Sequence, residues 1–160
     1  MQGEALLVQR DGPRVVPEPA AYPDEAIIAV YASSLNRGEL ALLAGRPEGW
    51  RPGQDIAGVV ATPAADGSGP RAGARVVGLV EGAGWSQRVA VPVSRLAALP
   101  DPVSFAAAAA LPMAGLTAQR TSDAPSCATE GVTHLAVIMC FCVSPSMPSR
   151  RPRPSRRRTQ

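Results

Sequence analysis

The sequence predicts a mainly β fold with short helices, a barrel or a sandwich. Three observations lead there. Short apolar runs rich in Val, Ile and Ala recur along the first hundred residues. Gly, Pro and Asp clusters separate them at strand-length intervals. Only two stretches break the pattern with helical spacing. At 160 residues the chain has the length of one ordinary domain. That length buries a core but is short for a two-domain enzyme.

The elements follow in order. EALLV (4–8) and RVV (14–16) read as strands around an Asp11-Gly12-Pro13 turn. A Pro-rich connection runs to Pro23, and EAIIAVYA (25–32) alternates in part and is β-branched, as a strand should be. Ser34 is placed as the N-cap of a helix through LNRGELALLAG, with Leu40 and Leu43 facing the core and Gly45 stopping it. DIAGVVAT (55–62) is apolar almost throughout, the signature of a strand buried on both faces. Ala65–Pro70 is a loop. ARVVGLV (74–80) and QRVAVPV (87–93) flank a tight turn at Glu81-Gly82-Ala83-Gly84. Gly58 and Gly78 inside strands signal bulges or close backbone approach. Ser104 caps a helix over FAAAAAL, which Pro112 ends or kinks.

Composition divides the chain near Arg120. Aromatics are only 4 % of residues, so Ala, Val, Leu and Ile must fill the core. There is no Lys, and every cation is Arg. Residues 1–120 carry ten Arg against eleven acids, whereas residues 121–160 carry six Arg against Asp123 and Glu130. The basic signal therefore belongs to a tail and not to the globular part. Cys127, Cys140 and Cys142 also lie beyond the join. Together with His134 they have no standard zinc-module spacing and read as structural or incidental. An odd cysteine count, none of it before residue 127, fits a reducing cytoplasm. No secretory signal opens the chain. The nine-residue apolar run Leu135–Val143 is too short to cross a membrane, which takes roughly 20 residues. Val132–Val143 fits a strand or a buried helix turn. Pro145–Gln160, rich in Pro, Ser and Arg, reads as disordered.

Four stretches, in order, carry a resemblance: ASSLNRGELALLAG (32–45), RPGQDIAGVV (51–60), AGARVVGLVEGAGWSQRVAVPVSRLAALPD (72–101) and SFAAAAALPMAGLTAQR (104–120). Together they resemble the N-terminal half of medium-chain dehydrogenases/reductases, closest to the zinc-independent quinone oxidoreductases. The resemblance implies a GroES-like, partly open β-barrel over residues 1–120, followed in the family by a Rossmann domain that binds NADPH. The implied activity is hydride transfer to quinones or enones by an NADPH-dependent oxidoreductase. Where zinc-dependent members place Cys and Gly-His-Glu, this chain has Asn36 (or its neighbour Leu35) and Gly53-Gln54-Asp55. Zinc favours Cys, His and carboxylate donors, so no zinc is expected.

The same resemblance assigns Asn36 to the catalytic position beside the nicotinamide and Thr117 of Gly-Leu-Thr-Ala to the cofactor. Tyr31 and Trp50 are placed as pocket walls. The plainer alternatives are a helix-start hydrogen bond for Asn36, a helix-surface hydroxyl for Thr117, and a turn-shaping role for Gln54 and Asp55. The family's glycine-rich phosphate fingerprint does not follow Arg120. Residues 121–160 are therefore expected to be a non-family tail from a shifted reading frame or a mis-predicted gene end. The chain is expected to be a truncated, inactive fragment that binds cofactor poorly. Two other classes stand beside this one: a GroES-like interaction module without enzymatic activity, and a basic-tailed nucleic-acid binder. The second lacks base-stacking aromatics, so no specific nucleic acid is expected. Intact relatives imply homodimers.

Overall fold

The computed structural model describes residues 4–9, 12–17, 19–47, 50–122 and 139–142. Strands β1 (Glu4–Gln9) and β2 (Gly12–Pro17) pair antiparallel as a two-stranded hairpin, with Gln9 opposite Gly12. Gly12 and Pro13, read from sequence as turn residues, already belong to β2. The main sheet is antiparallel throughout. It holds β3 (Glu25–Leu35), β4 (Asp55–Thr62), β5 (Arg75–Leu79), β6 (Arg88–Pro92), β7 (Leu96–Ala98) and β8 (Met139–Cys142). The order along the sheet is β6-β3-β4-β5-β7. Its two ends are consecutive in the chain, joined by the 3-10 turn Val93–Arg95. No ladder joins β6 to β7 among the described residues, so the barrel is partly open, as expected.

β3 organises the sheet because it is long. One edge pairs with β4, and the other holds β6 opposite residues 25–29 and β8 opposite residues 32–35. Four residues from the stretch read as a non-family tail thus occupy the far half of an edge of β3. The expectations for residues 123–138 and for the disordered segment 145–160 fall outside the described residues.

The apolar texture of β4 has the predicted cause. Ile56 belongs to a cluster with Ala26, Ile28, Val30, Val60, Val76, Val89 and Val91. Its neighbour Ala57 faces the opposite way, into a second cluster with Ala32, Leu99, Ala108 and Ala109. Val76 and Val77 of β5 divide between the two clusters in the same manner. The second cluster lies under α2 (Phe105–Ala109), whose cap Ser104 accepts from the Ala107 N–H at 3.1 Å. Gly58 marks a close approach, since a Cβ there would lie 2.0 Å from the Ala29 carbonyl oxygen.

Three expectations change. The helix α1 (Arg37–Gly45) is capped by Asn36, not by Ser34. Asn36 and Glu39 form a reciprocal capping box, while Ser34 is held in β3 by its ladder with Cys140. Leu40 is 54 % exposed, and the residue α1 buries completely is Glu39. Pro112 does not end a helix but opens α3 (Pro112–Ser122), where its missing N–H costs nothing. β7 carries no strand signal of its own in the sequence; it forms because Leu96–Ala98 lie opposite Gly78, Val77 and Val76.

Candidate functional site

The end of β3 meets the start of β4. Ser33 pairs with Ile56, which sets Asp55 beside Ser33 and Ser34. The Ser33 hydroxyl donates to the Asp55 carbonyl at 2.6 Å, and the Ser34 hydroxyl donates to Asp55 Oδ2 at 2.5 Å. Asp55 Oδ1 accepts the Met113 N–H at 2.7 Å. Met113 is the second residue of α3, so its N–H is one of the donors a helix cannot satisfy internally. A buried carboxyl from β4 thus caps a helix that begins 57 residues later in the chain. The positive end of the helix dipole favours a carboxylate there.

A second carboxyl lies beside the first. Glu39 Oε2 accepts the Asn36 N–H at 3.1 Å and Oε1 accepts the Gln54 N–H at 2.8 Å. In return the Glu39 N–H donates to Asn36 Oδ1 at 3.0 Å. Asn36 Nδ2 is buried and makes no hydrogen bond, although the amide sits near enough to Asp55 to favour its ionised form. Trp85 closes the cluster by donating its indole N–H to the Ser34 carbonyl at 2.9 Å.

Burial raises the pKa of both acids. For Glu39 desolvation dominates and the Asp55 charge adds to it, against the Asn36 and Gln54 N–H groups that favour the carboxylate. For Asp55 desolvation again dominates, opposed by the Ser34 hydroxyl and the Met113 N–H. Two neighbouring carboxyls that burial inclines to keep a proton thus stand with the Asn36 amide and the Ser34 hydroxyl where the end of β3 meets the start of β4.

The residues singled out from sequence are only partly brought together. Asn36 sits in the cluster. Thr117 lies one turn along α3 from Met113, exposed, with its hydroxyl directed at Met113 Sδ at 3.9 Å. Trp50 is on the loop before β4, with the Arg46 guanidinium 5.7 Å from its ring centre. Tyr31 instead stacks on Phe105, with centroids 4.9 Å apart, on the α2 side of the sheet. Gln54 and Asp55 do more than shape a turn: one gives its N–H to Glu39 and the other holds α3. Glu39 and Ser34 were missed as members of the cluster. The spacing Asn36-x-x-Glu39 is the signal that could have found the first. Among the described residues no group of three or more His, Cys, Asp or Glu could hold a metal ion.

No family model and no curated protein matches the sequence. Solved structures do. The human synaptic vesicle membrane protein VAT-1 homolog-like protein is 28 % identical, with a TM-score of 0.65, over 74 % of this chain and 42 % of that one. A quinone oxidoreductase of Pseudomonas syringae pv. tomato DC3000 is 28 % identical, with a TM-score of 0.61, over 74 % of this chain and 40 % of that one. The CurK enoyl reductase is 26 % identical, with a TM-score of 0.62, over 76 % and 42 %. The chain spans well under half the length of each.

Proposed function

The chain carries the GroES-like catalytic-domain fold of the medium-chain dehydrogenase/reductase superfamily, and we propose that it is the substrate-side portion of a nicotinamide-dependent reductase of quinones or enones. The observation that supports this most is a buried amide donor, Asn36 Nδ2, that completes no hydrogen bond although it lies beside Asp55, at the position the resemblance gives to the reacting groups. A quinone or enone carbonyl gains negative charge as it is reduced, and a preset N–H donor stabilises that charge.

The residues present fit one end of the cofactor. Asn36 would face the nicotinamide edge, and Thr117 on α3 offers a hydroxyl one turn beyond the segment Asp55 anchors. When bound, NADPH supplies the hydride. The chain's own residues supply position: Ser34 and Met113 fix Asp55, Glu39 fixes Asn36 and Gln54, and the donor is held for an incoming oxygen. No glycine-rich phosphate fingerprint follows Arg120 in the sequence, and we propose that this chain alone binds NADPH weakly. The quinone and enone substrates, and a dimer, belong to this proposal.

Titration of the isotope-labelled 160-residue chain with duroquinone, followed by amide chemical shifts, tests the reading. Shifts centred on Asn36, Gln54 and the first turn of α3 are expected, and N36A should remove them while N36D should not restore them. Shifts confined to the opposite sheet face, around Tyr31 and Phe105, would refute it. A micromolar NADPH response would overturn the expectation of weak cofactor binding.

A further inference from the structure

Beside these carboxyls, reached through Gln54, lies an open cavity of about 560 Å³. It is lined by Arg46, Trp50, Arg51, Gln54, Glu81 and the Gly82-Ala83 peptide. Its walls are built, not incidental. The N–H groups of Ala83, Gly84 and Trp85 donate to the carbonyls of Arg51, Gly53 and Pro52 at 2.9, 2.9 and 3.2 Å. Two loops are thereby laced together. Gly53 has φ of +100°, and a Cβ there would stand 2.3 Å from the Trp85 nitrogen. Ala83 takes φ of +64°, a conformation a residue with a side chain adopts only under constraint.

The charges around this cavity are unequal. Arg46 and Arg51 are exposed, and neither is recorded in an ion pair among the described residues. Glu81, the one acid of the lining among the described residues, is taken by Arg95 at 2.8 Å. Trp50 is half-buried, with Arg46 over its ring. A flat aromatic wall beside two exposed guanidinium groups, with no ion pair to an acid among the described residues, suits a planar conjugated ring bearing an acidic group. The ring packs on the indole, and the anion takes the planar donors of Arg.

The geometry points to a subsite for planar aromatic anions formed by Arg46, Arg51 and Trp50, which selects acidic conjugated compounds as ligands of this domain. The subsite rests on the reductase reading only where its ligand is called a substrate. Binding at Arg46, Arg51 and Trp50 needs neither cofactor nor turnover.

The experiment uses the full chain and three probes: anthraquinone-2-sulfonate, naphthalene-2-sulfonate and the neutral naphthalene-2-sulfonamide, each titrated by calorimetry and amide chemical shifts. Both sulfonates should bind about tenfold more tightly than the sulfonamide at low salt, and raised salt should narrow the gap. R46Q/R51Q should abolish the difference, and W50L should weaken all three probes. Both sets of changes lie on exposed or loop positions, and the unchanged thermal midpoint of each variant confirms that it folds. Equal binding of sulfonate and sulfonamide, or a difference that survives R46Q/R51Q, overturns the subsite. If naphthalene-2-sulfonate binds as predicted while duroquinone leaves Asn36 undisturbed, the subsite stands and the reductase reading falls.

Discussion

Asp55 should matter more as an acceptor than as a charge. Replacing it with Ala removes both acceptors of one buried carboxyl, leaving the Ser34 hydroxyl and the Met113 N–H without partners. Each buried donor left unsatisfied costs about 1–3 kcal/mol. Loss of a carboxylate from a helix N-terminus adds up to ~1 kcal/mol. Against this stands the relief of a group whose burial already penalises its ionised form. The net loss for D55A is about 2–4 kcal/mol, which for a domain of this size lowers the thermal midpoint by roughly 5–15 °C. D55N behaves differently. Its carboxamide oxygen still accepts from Met113, and the Ser34 hydroxyl can turn to accept from the new amide. D55N should stay within about 1 kcal/mol of the parent. Chemical denaturation and thermal melts by circular dichroism measure both variants. Hydrogen exchange at the Met113 amide should quicken in D55A and not in D55N. If D55A costs under about 1 kcal/mol, or D55N costs as much as D55A, the carboxyl does not hold α3 in the way described.

Two further outcomes follow from the same geometry. G58A should lose about 3 kcal/mol or more, because the added methyl meets the Ala29 carbonyl and only a shift of the β3–β4 ladder relieves it. G45A, at the open end of α1 with nothing within 4 Å, should be neutral or slightly stabilising in the same melts. The pH profile has a definite sign. Glu39 and Asp55 both have folded pKa values raised above 4.5 and 3.8, so between those values and the raised ones the folded state holds more protons than the unfolded state. Their contribution to stability is complete below the unfolded values and is lost as pH rises through the folded ones. Acidification from neutral pH should therefore raise the melting midpoint relative to the E39Q/D55N variant; identical slopes for the two proteins would refute this.

Much of the sheet was legible because its physics is local. The boundaries of β4 follow from an apolar run buried on both faces, and the cap of α2 follows from Ser104 preceding an alanine run. Helix α1 was misread because Leu at helical spacing suggests a core face. The helix is only nine residues long, and what it buries is the carboxyl of its own capping box. β7 and β8 were not legible as ladder partners, since pairing across 18 to 110 residues leaves no mark in a three- or four-residue strand. The candidate site divides in the same way. Asn36 could be reached through the resemblance and Glu39 through a spacing rule. The bond from Asp55 to Met113 joins residues 58 apart and becomes visible only when β4 and α3 are placed.

Gln54 ties the two halves of the site together. Its N–H is held by the buried Glu39 carboxyl, and its carbonyl accepts the Val80 N–H at 2.7 Å. The peptide groups on both sides of Gln54 are therefore hydrogen-bonded where the residue lines the Trp50 cavity, next to the β4–β5 ladder. The next residue is Asp55, which grips the start of α3. Adjacent residues therefore connect a surface that meets ligand to a buried carboxyl and to the helix that carries Thr117. Protonation of Glu39 leaves one of its oxygens less able to accept from the backbone N–H groups around it, that of Gln54 among them.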